Sequence, residues 1–258
     1  MGGTISLARG ARYEFKYLVT PGTASALRSH VATFLPPDRF TQDGSYAVSS
    51  LYLDSQDFSL YRQTLTGEKN RFKLRVRTYS DGAAAPAFLE VKRRVNAAIL
   101  KRRAHVTREA AQLLLSGSVS WSAGLPASCR ADASRFAALA SLCRARPCVH
   151  VRYRREAYEP AAGEPVRITF DTEIEYAPVR DTSLDTGGLH WKRTPVNGVV
   201  FEVKFTERYP TWVADLVRRF GLKNCSVPKY VLSLENALEW RRAKPTPAAH
   251  GRHLWERT

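Results

Sequence analysis

Charged residues recur at every second position in segments that are otherwise apolar, and this alternation constrains the fold more than any other feature of the chain. Glu-x-Lys stands between apolar residues three times, in YEFKY at 13–17, FLEVKRR at 88–94 and FEVKFTE at 201–207. A period of two is that of an extended strand, in which successive side chains point to opposite faces. Glu90 and Lys92 therefore share a face opposite Leu89 and Val91, and the same holds for Glu14 with Lys16 and for Glu202 with Lys204. One amphipathic strand of an antiparallel sheet, wet on one side, accounts for any single copy. It leaves the charge on the neighbouring segments unexplained.

Eight segments carry strand character: YEFKYLV, YAVSSLYLD, RFKLRVRTY, AFLEVKRR, ILKRRAHV, VHVRYRREAY, VRITFDTEIEY and VVFEVKFTE. Caps and apolar period place helices between them. One runs from Thr20–Pro21 to Phe34, and a short one is capped by Asp54 and ends at Leu65. Others run from Thr107 to Gly117, from Asp132 to Arg144, from Pro210 to Gly221 and from Pro228 to Arg242. Mostly short connections between many strands favour an α+β fold, an eight-stranded antiparallel sheet or closed β-barrel braced by helices, over parallel winding. No low-complexity linker interrupts it, so residues 12–242 read as one domain between a flexible N-terminus, 1–11, and a disordered basic tail, 243–258. GxxxxGK[ST] and GxGxxG are both absent, which removes the P-loop and the dinucleotide fold.

Register assigns the charges to faces. Lys73, Arg75 and Arg77 form one row opposite Phe72, Leu74 and Val76; Lys101, Arg103 and His105 form another. Arg167, Asp171, Glu173 and Glu175 share a row, and Arg155 shares one with Tyr153. Like charges directly opposed across strands destabilise a sheet. Two arrangements accommodate them: rows that face water, or a barrel with its charged faces inward and its apolar faces under the helices. The second makes the lumen a basic tunnel in which Lys and Arg grip phosphate oxygens. Carboxylates among the bases suit a hard divalent cation carried by the phosphates.

Composition agrees with a polyanionic partner. The 258 residues carry 40 Lys and Arg against 24 Asp and Glu, a formal net charge of +16, and the basic tail accounts for only part of it. Cys129, Cys143, Cys148 and Cys225 form no C-x-x-C pair and have no His at zinc-ligand spacing, so they read as reduced thiols. The N-terminus has no apolar signal core, and no run approaches the roughly 18 apolar residues of a membrane span. The expectation is a soluble cytoplasmic protein. MGGTIS matches the short N-myristoylation pattern, which is read as chance outside a eukaryotic source.

The ordered set YEFKY, SLYLDSQDFSLY, FKLRVRTY, FLEVKRR, YRREAY, VRITFDTEI, FEVKF and VPKY resembles the VTC domain over residues 12–240. That domain is the polyphosphate polymerase domain of the vacuolar transporter chaperone, in the triphosphate tunnel metalloenzyme, or CYTH-like, superfamily. The resemblance implies an eight-stranded tunnel and transfer of the terminal phosphoryl group of a nucleoside triphosphate such as ATP to a growing polyphosphate chain, with Mn²⁺ or Mg²⁺. By motif, Arg75, Arg77, Lys92, Arg155 and Glu202 match the catalytic set, with Glu202 as the metal ligand. Lys16, Lys101 or Arg103, and Lys229 match phosphate-binding positions; Lys73, Arg167 and Lys204 join them from the charged rows. Glu90, Asp171 and Glu173 are further metal candidates, with ion pairing to tunnel bases as the alternative role, and Glu90 is also placed to orient Lys92.

Two departures stand out. The relatives carry two lysines three residues apart in the final segment, where this chain has Lys229 alone, with Ser226 and Leu232 at the flanking positions. Simple triphosphatases of the superfamily begin E-x-E-x-K, whereas here Arg12 precedes Glu14 and Lys16. A metal-dependent triphosphatase on the same tunnel and a non-catalytic polyphosphate or RNA binder are the competing functions. No RNP, KH or zinc-finger motif supports a specific nucleic-acid partner. A membrane-protein partner of the kind found in the eukaryotic complex leaves no mark in the sequence.

Overall fold

The computed structural model describes residues 13–41, 44–82, 84–96, 98–161, 166–179, 181–206 and 209–243. The N-terminal stretch with MGGTIS and Arg12, and the tail beyond Ala243, lie outside the described residues.

The strands are β1 (Tyr13–Val19), β2 (Tyr46–Asp54), β3 (Asn70–Thr78), β4 (Ala87–Val95), β5 (Ala98–Val106), β6 (Arg146–Tyr158), β7 (Arg167–Pro178), the two-residue β8 (Lys192–Arg193) and β9 (Val199–Phe205). The helices are α1 (Pro21–Val31), α2 (Ser59–Leu65), α3 (Arg108–Leu115), α4 (Ala127–Leu142), α5 (Thr211–Arg219) and α6 (Lys229–Ala243). All eight expected strands form. They pair antiparallel in the order β1-β9-β7-β6-β2-β3-β4-β5, with β8 added beside β7.

The barrel is not closed by hydrogen bonds, because β1 and β5 end the ladder and do not pair with each other. The sheet nevertheless curls until its ends meet: Lys92 Nζ on β4 reaches Glu14 Oε2 on β1 at 2.8 Å. Side chains rather than backbone bridge the seam.

Local chemistry explains the helix starts. The Thr20 hydroxyl accepts from the Thr23 amide and Pro21 opens α1, while Thr107 accepts from the Ala110 amide at the head of α3. Asp54 is fully buried and gathers the Ser55, Leu60 and Tyr61 amides and the Tyr230 hydroxyl, tying β2 to α2 and α6. The α4 helix begins at Ala127, a turn and a half before the expected Asp132, after a Pro126 that offers no side-chain cap.

Three apolar clusters form the core. The outer faces of β2 to β5, with Leu74, Val76, Leu89 and Val91, pack under α3 and α4. Those of β1, β7 and β9, with Tyr17, Ile168, Phe170 and Phe201, pack under α1 and α5. Helix α6 departs from the expected outer bracing. Its Tyr230, Val231 and Leu234 pack against Val48 and Tyr52 of β2 and Val151 and Tyr153 of β6, on the concave face of the sheet. Part of the interior is thus filled by a helix, and the rest is open. No helix is long and apolar enough to cross a membrane among the described residues.

Candidate functional site

The open part of the interior is a cavity of about 1050 Å³. The register of the ladder decides what lines it. In the antiparallel pair β1·β9, two Glu-x-Lys copies meet head to tail, so Lys16 faces Glu202 and Glu14 faces Lys204. On the far side of the ladder Arg75 of β3 and Arg103 of β5 both stand in register with Glu90 of β4. The repeated Glu-x-Lys is therefore a device for setting carboxylates among cations on one inward face.

Among the described residues, twelve Lys and Arg side chains line the cavity against three carboxylates, Glu14, Glu159 and Glu202. Every Lys and Arg named from sequence as a phosphate-binding or catalytic candidate is among the twelve: Lys16, Lys73, Arg75, Arg77, Lys92, Lys101, Arg103, Arg155, Arg167, Lys204 and Lys229; Arg39 is the twelfth.

Glu90 lies fully buried behind this surface. Its Oε2 faces Arg75 Nη2 at 2.6 Å, and its Oε1 faces Lys101 Nζ at 2.7 Å and Arg103 Nε at 3.0 Å. Burial penalises its charge, but Arg75, Arg77 and Lys101 hold its carboxyl well below the usual carboxylate range. The sequence reading places Glu90 to orient Lys92, but the two side chains do not pair. The Glu90 carboxylate is taken up by Arg75, Lys101 and Arg103, and Lys92 reaches across the seam to Glu14 instead.

Asp171 is likewise fully buried and does not line the cavity. It takes Arg155 in a two-point pair at 2.6 and 2.7 Å and Lys229 Nζ at 2.7 Å. That arrangement makes it a support for two cations and removes it as a metal candidate at the cavity surface. Glu173 is removed too. A bulge between Arg152 and Arg154 gives β7 an extra residue, Glu173 takes a left-handed φ of 50°, and its side chain is exposed away from the cavity.

Glu202 is buried among Lys204 at 2.6 Å, Lys16 at 3.5 Å, and Arg155 and Lys229 at 3.6 Å. Against the penalty of burial these cations keep it ionised well below its ordinary range. Glu14 is depressed as well, burial being outweighed by Lys92 and Lys16. Four lysines run the other way, Lys204 among them, lowered by burial against the pull of Glu202. Burial, reinforced by Lys92 and Lys16, pushes Lys73 down to about 7, and it has no carboxylate partner among the described residues, only the Tyr230 ring 5.6 Å from its Nζ. Burial lowers Lys92 to about 8 and Lys101 to about 7 despite Glu14 and Glu90.

No group of three or more His, Cys, Asp or Glu among the described residues is arranged to hold a metal on its own. The pair Glu14 and Glu202, joined through Lys16 at 2.7 and 3.5 Å, fits a hard cation of the Mg²⁺ type that keeps one or two protein carboxylates and completes its shell with phosphate oxygens and water.

A model of the VTC domain matches residues 11–237. The chain belongs to the VTC domain family. No curated protein matches this VTC domain. Solved structures with a related course of chain include a candidate adenylate cyclase from Bacillus halodurans, at 16% identity and a TM-score of 0.49, covering 84% of this chain and 92% of that one. A candidate adenylyl cyclase from Hippeastrum, described as having a dominant triphosphatase activity, aligns at 13% identity and a TM-score of 0.48 over 92% of this chain and 97% of its own. The PH1819 protein of Pyrococcus horikoshii aligns at 13% identity and a TM-score of 0.45, covering 89% and 99%.

Several lining residues went unread in the sequence. Tyr46 and Tyr52 share the inward parity of β2, and Tyr79 continues the row of Arg75 and Arg77, so a parity count extended to tyrosine finds them. Tyr52 accepts from Arg75 Nη1 and Tyr153 from Arg77 Nη2, both at 3.1 Å. Arg39, Phe40 and Glu159 sit outside the strands, where no period marks them.

Proposed function

We propose that residues 12–242 form one tunnel domain that acts as a polyphosphate polymerase, moving the terminal phosphoryl group of a nucleoside triphosphate onto a growing polyphosphate chain. One observation carries the reading: cations from β1, β3, β4, β5, β6, β7, β9 and α6 converge on a single cavity, and their supporting carboxylates Glu90 and Asp171 are buried behind it. Family membership supports it independently.

Phosphoryl transfer asks a protein mainly for positioning and charge stabilisation. Arg75 and Arg155 are clamped by Glu90 and Asp171 before any ligand arrives, and Arg77 by Ser50 and Tyr153. Fixed donors of this kind need no reorganisation as charge builds on the transferring group. Lys16, Lys92 and Lys229 add ammonium groups, held by Glu14 and Asp171, as further phosphate donors. A Mn²⁺ or Mg²⁺ ion, when bound at Glu202 with Glu14 beside it, supplies charge neutralisation at phosphate oxygens.

Proton chemistry bears on the acceptor. Hydrolysis needs a base to draw a proton from water; the surrounding cations weaken Glu14 and Glu202 for that role, while the lowered Lys73 and Lys101 are open to it. A terminal phosphate oxygen is already anionic and needs no such base, so the cavity serves a phosphate-chain acceptor without one. The packing of α6 on the concave face works for the triphosphatase, since it shortens the path open to a long product. Purified protein given ATP and Mn²⁺ is expected to make a polymer that resists nuclease and yields to polyphosphatase. Orthophosphate without polymer at any metal concentration establishes the triphosphatase instead.

A further inference from the structure

One end of the cavity is built from rings rather than from cations alone. Phe40 and Tyr46 have centroids 5.8 Å apart, Tyr46 and Tyr79 6.1 Å, Tyr79 and Phe88 5.6 Å, and Phe88 and His105 5.3 Å. Two guanidinium groups lie on this arc: Arg103 is 3.7 Å from the centroid of Phe88, and Arg39 is 4.6 Å from that of Phe40. Phe40 is 58% exposed and Tyr79 37% exposed, so the arc is not closed core packing.

A phosphate chain has no use for these rings, because an aromatic face carries partial negative charge. A flat, neutral π-system does. Aromatic and guanidinium planes are the groups on which nucleic-acid bases stack. We propose that this arc seats the base of the donor nucleotide, so that the nucleoside stays at the aromatic mouth while its phosphates run inward.

The layout of the strands supports this direction. Arg77 lies two residues along the row from Tyr79, about 7 Å at strand rise, and Arg155 stands in register with Tyr46. Cations thus begin beside the rings, at Arg103 and Arg155, and continue along the row at Arg77 and Arg75, so phosphates that leave a stacked nucleoside have donors at once. Stacking reads a face and not an edge, so the site accepts purine triphosphates broadly. The inference rests on the phosphate-binding reading of the cavity and adds to it which end takes the nucleoside.

The test is calorimetric titration of the full chain with ATP, GTP and tripolyphosphate, for the wild type and for Phe40→Ala, Tyr79→Leu and Tyr79→Phe. The ratio of ATP to tripolyphosphate affinity is expected to fall about 5- to 100-fold in Phe40→Ala and Tyr79→Leu, with GTP following ATP. Tyr79→Phe keeps the ring and should keep the ratio. Since Tyr79 also accepts from Arg103 at 2.7 Å, an equal loss in Tyr79→Phe assigns the effect to that hydroxyl and overturns the stacking. An unchanged ratio in Phe40→Ala and Tyr79→Leu overturns the shelf while leaving the phosphate site in place. Failure of the wild type to bind either ATP or tripolyphosphate overturns the phosphate site and the shelf together.

Discussion

Glu90 shows most clearly how single residues hold this cavity together. It is fully buried with four cations around it, and removing its charge strands them. Breaking a buried ionic network in this way costs about 3–5 kcal/mol. Glu90→Gln is thus expected to lose that much in urea unfolding, and added polyphosphate should recover part of it by restoring negative charge. An unchanged midpoint with an unchanged slope contradicts the role. The lowered lysines give a second expectation. Lys73 and Lys101 near 7 and Lys92 near 8 lie below the ordinary lysine value of 10.5, so between pH 7 and 10.5 the unfolded chain holds more protons at these sites. Their contribution to stability therefore rises with pH across that window. A bound polyanion favours the charged forms, so binding takes up protons and weakens as pH rises from 7 to 9. Titration with long-chain polyphosphate at pH 7.5, in buffers of different ionisation enthalpy, should show net proton uptake; net release contradicts it.

At the level of elements, strand period placed the strand-borne cations of the site, because side-chain parity is a hard geometric rule wherever the ladder is regular; Arg39 in a loop and Lys229 on α6 lie outside its reach. It failed at Glu173, where a bulge adds a residue to β7 and turns that side chain out. Nothing local in VRITFDTEIEY announces a bulge, since none of its residues is the glycine that usually takes a left-handed turn. Glu173→Gly should therefore raise stability by about 1 kcal/mol, relieving a φ of 50°, with metal-dependent turnover unaffected; loss of turnover returns Glu173 to the site. The position of α6 was also out of reach. KYVLSLENALEW is apolar on more than one side, which marks a buried helix, but only the fold tells that the burial is against the concave face of β2, β6 and β7. The missed first turn of α4 has a simpler cause in the absence of a capping side chain at Pro126.

For the whole molecule, the three Glu-x-Lys copies take on their meaning together. Two of them interlock across β1·β9, and the third, on β4, sends Lys92 across the open seam to Glu14. The same charges that line the cavity thus draw the ends of an unclosed sheet together. Under the proposed function, a polyanion in that interior meets the cations that eight elements bring to one cavity. The most direct measurement is a structure of the protein soaked with a non-hydrolysable nucleoside triphosphate and Mn²⁺. The account predicts phosphates in the cavity against Arg75, Arg155 and Lys229, with the metal on Glu202. An analogue bound on the outer surface, with the cavity cations still paired only to Glu90, Asp171 and Glu202, would contradict it.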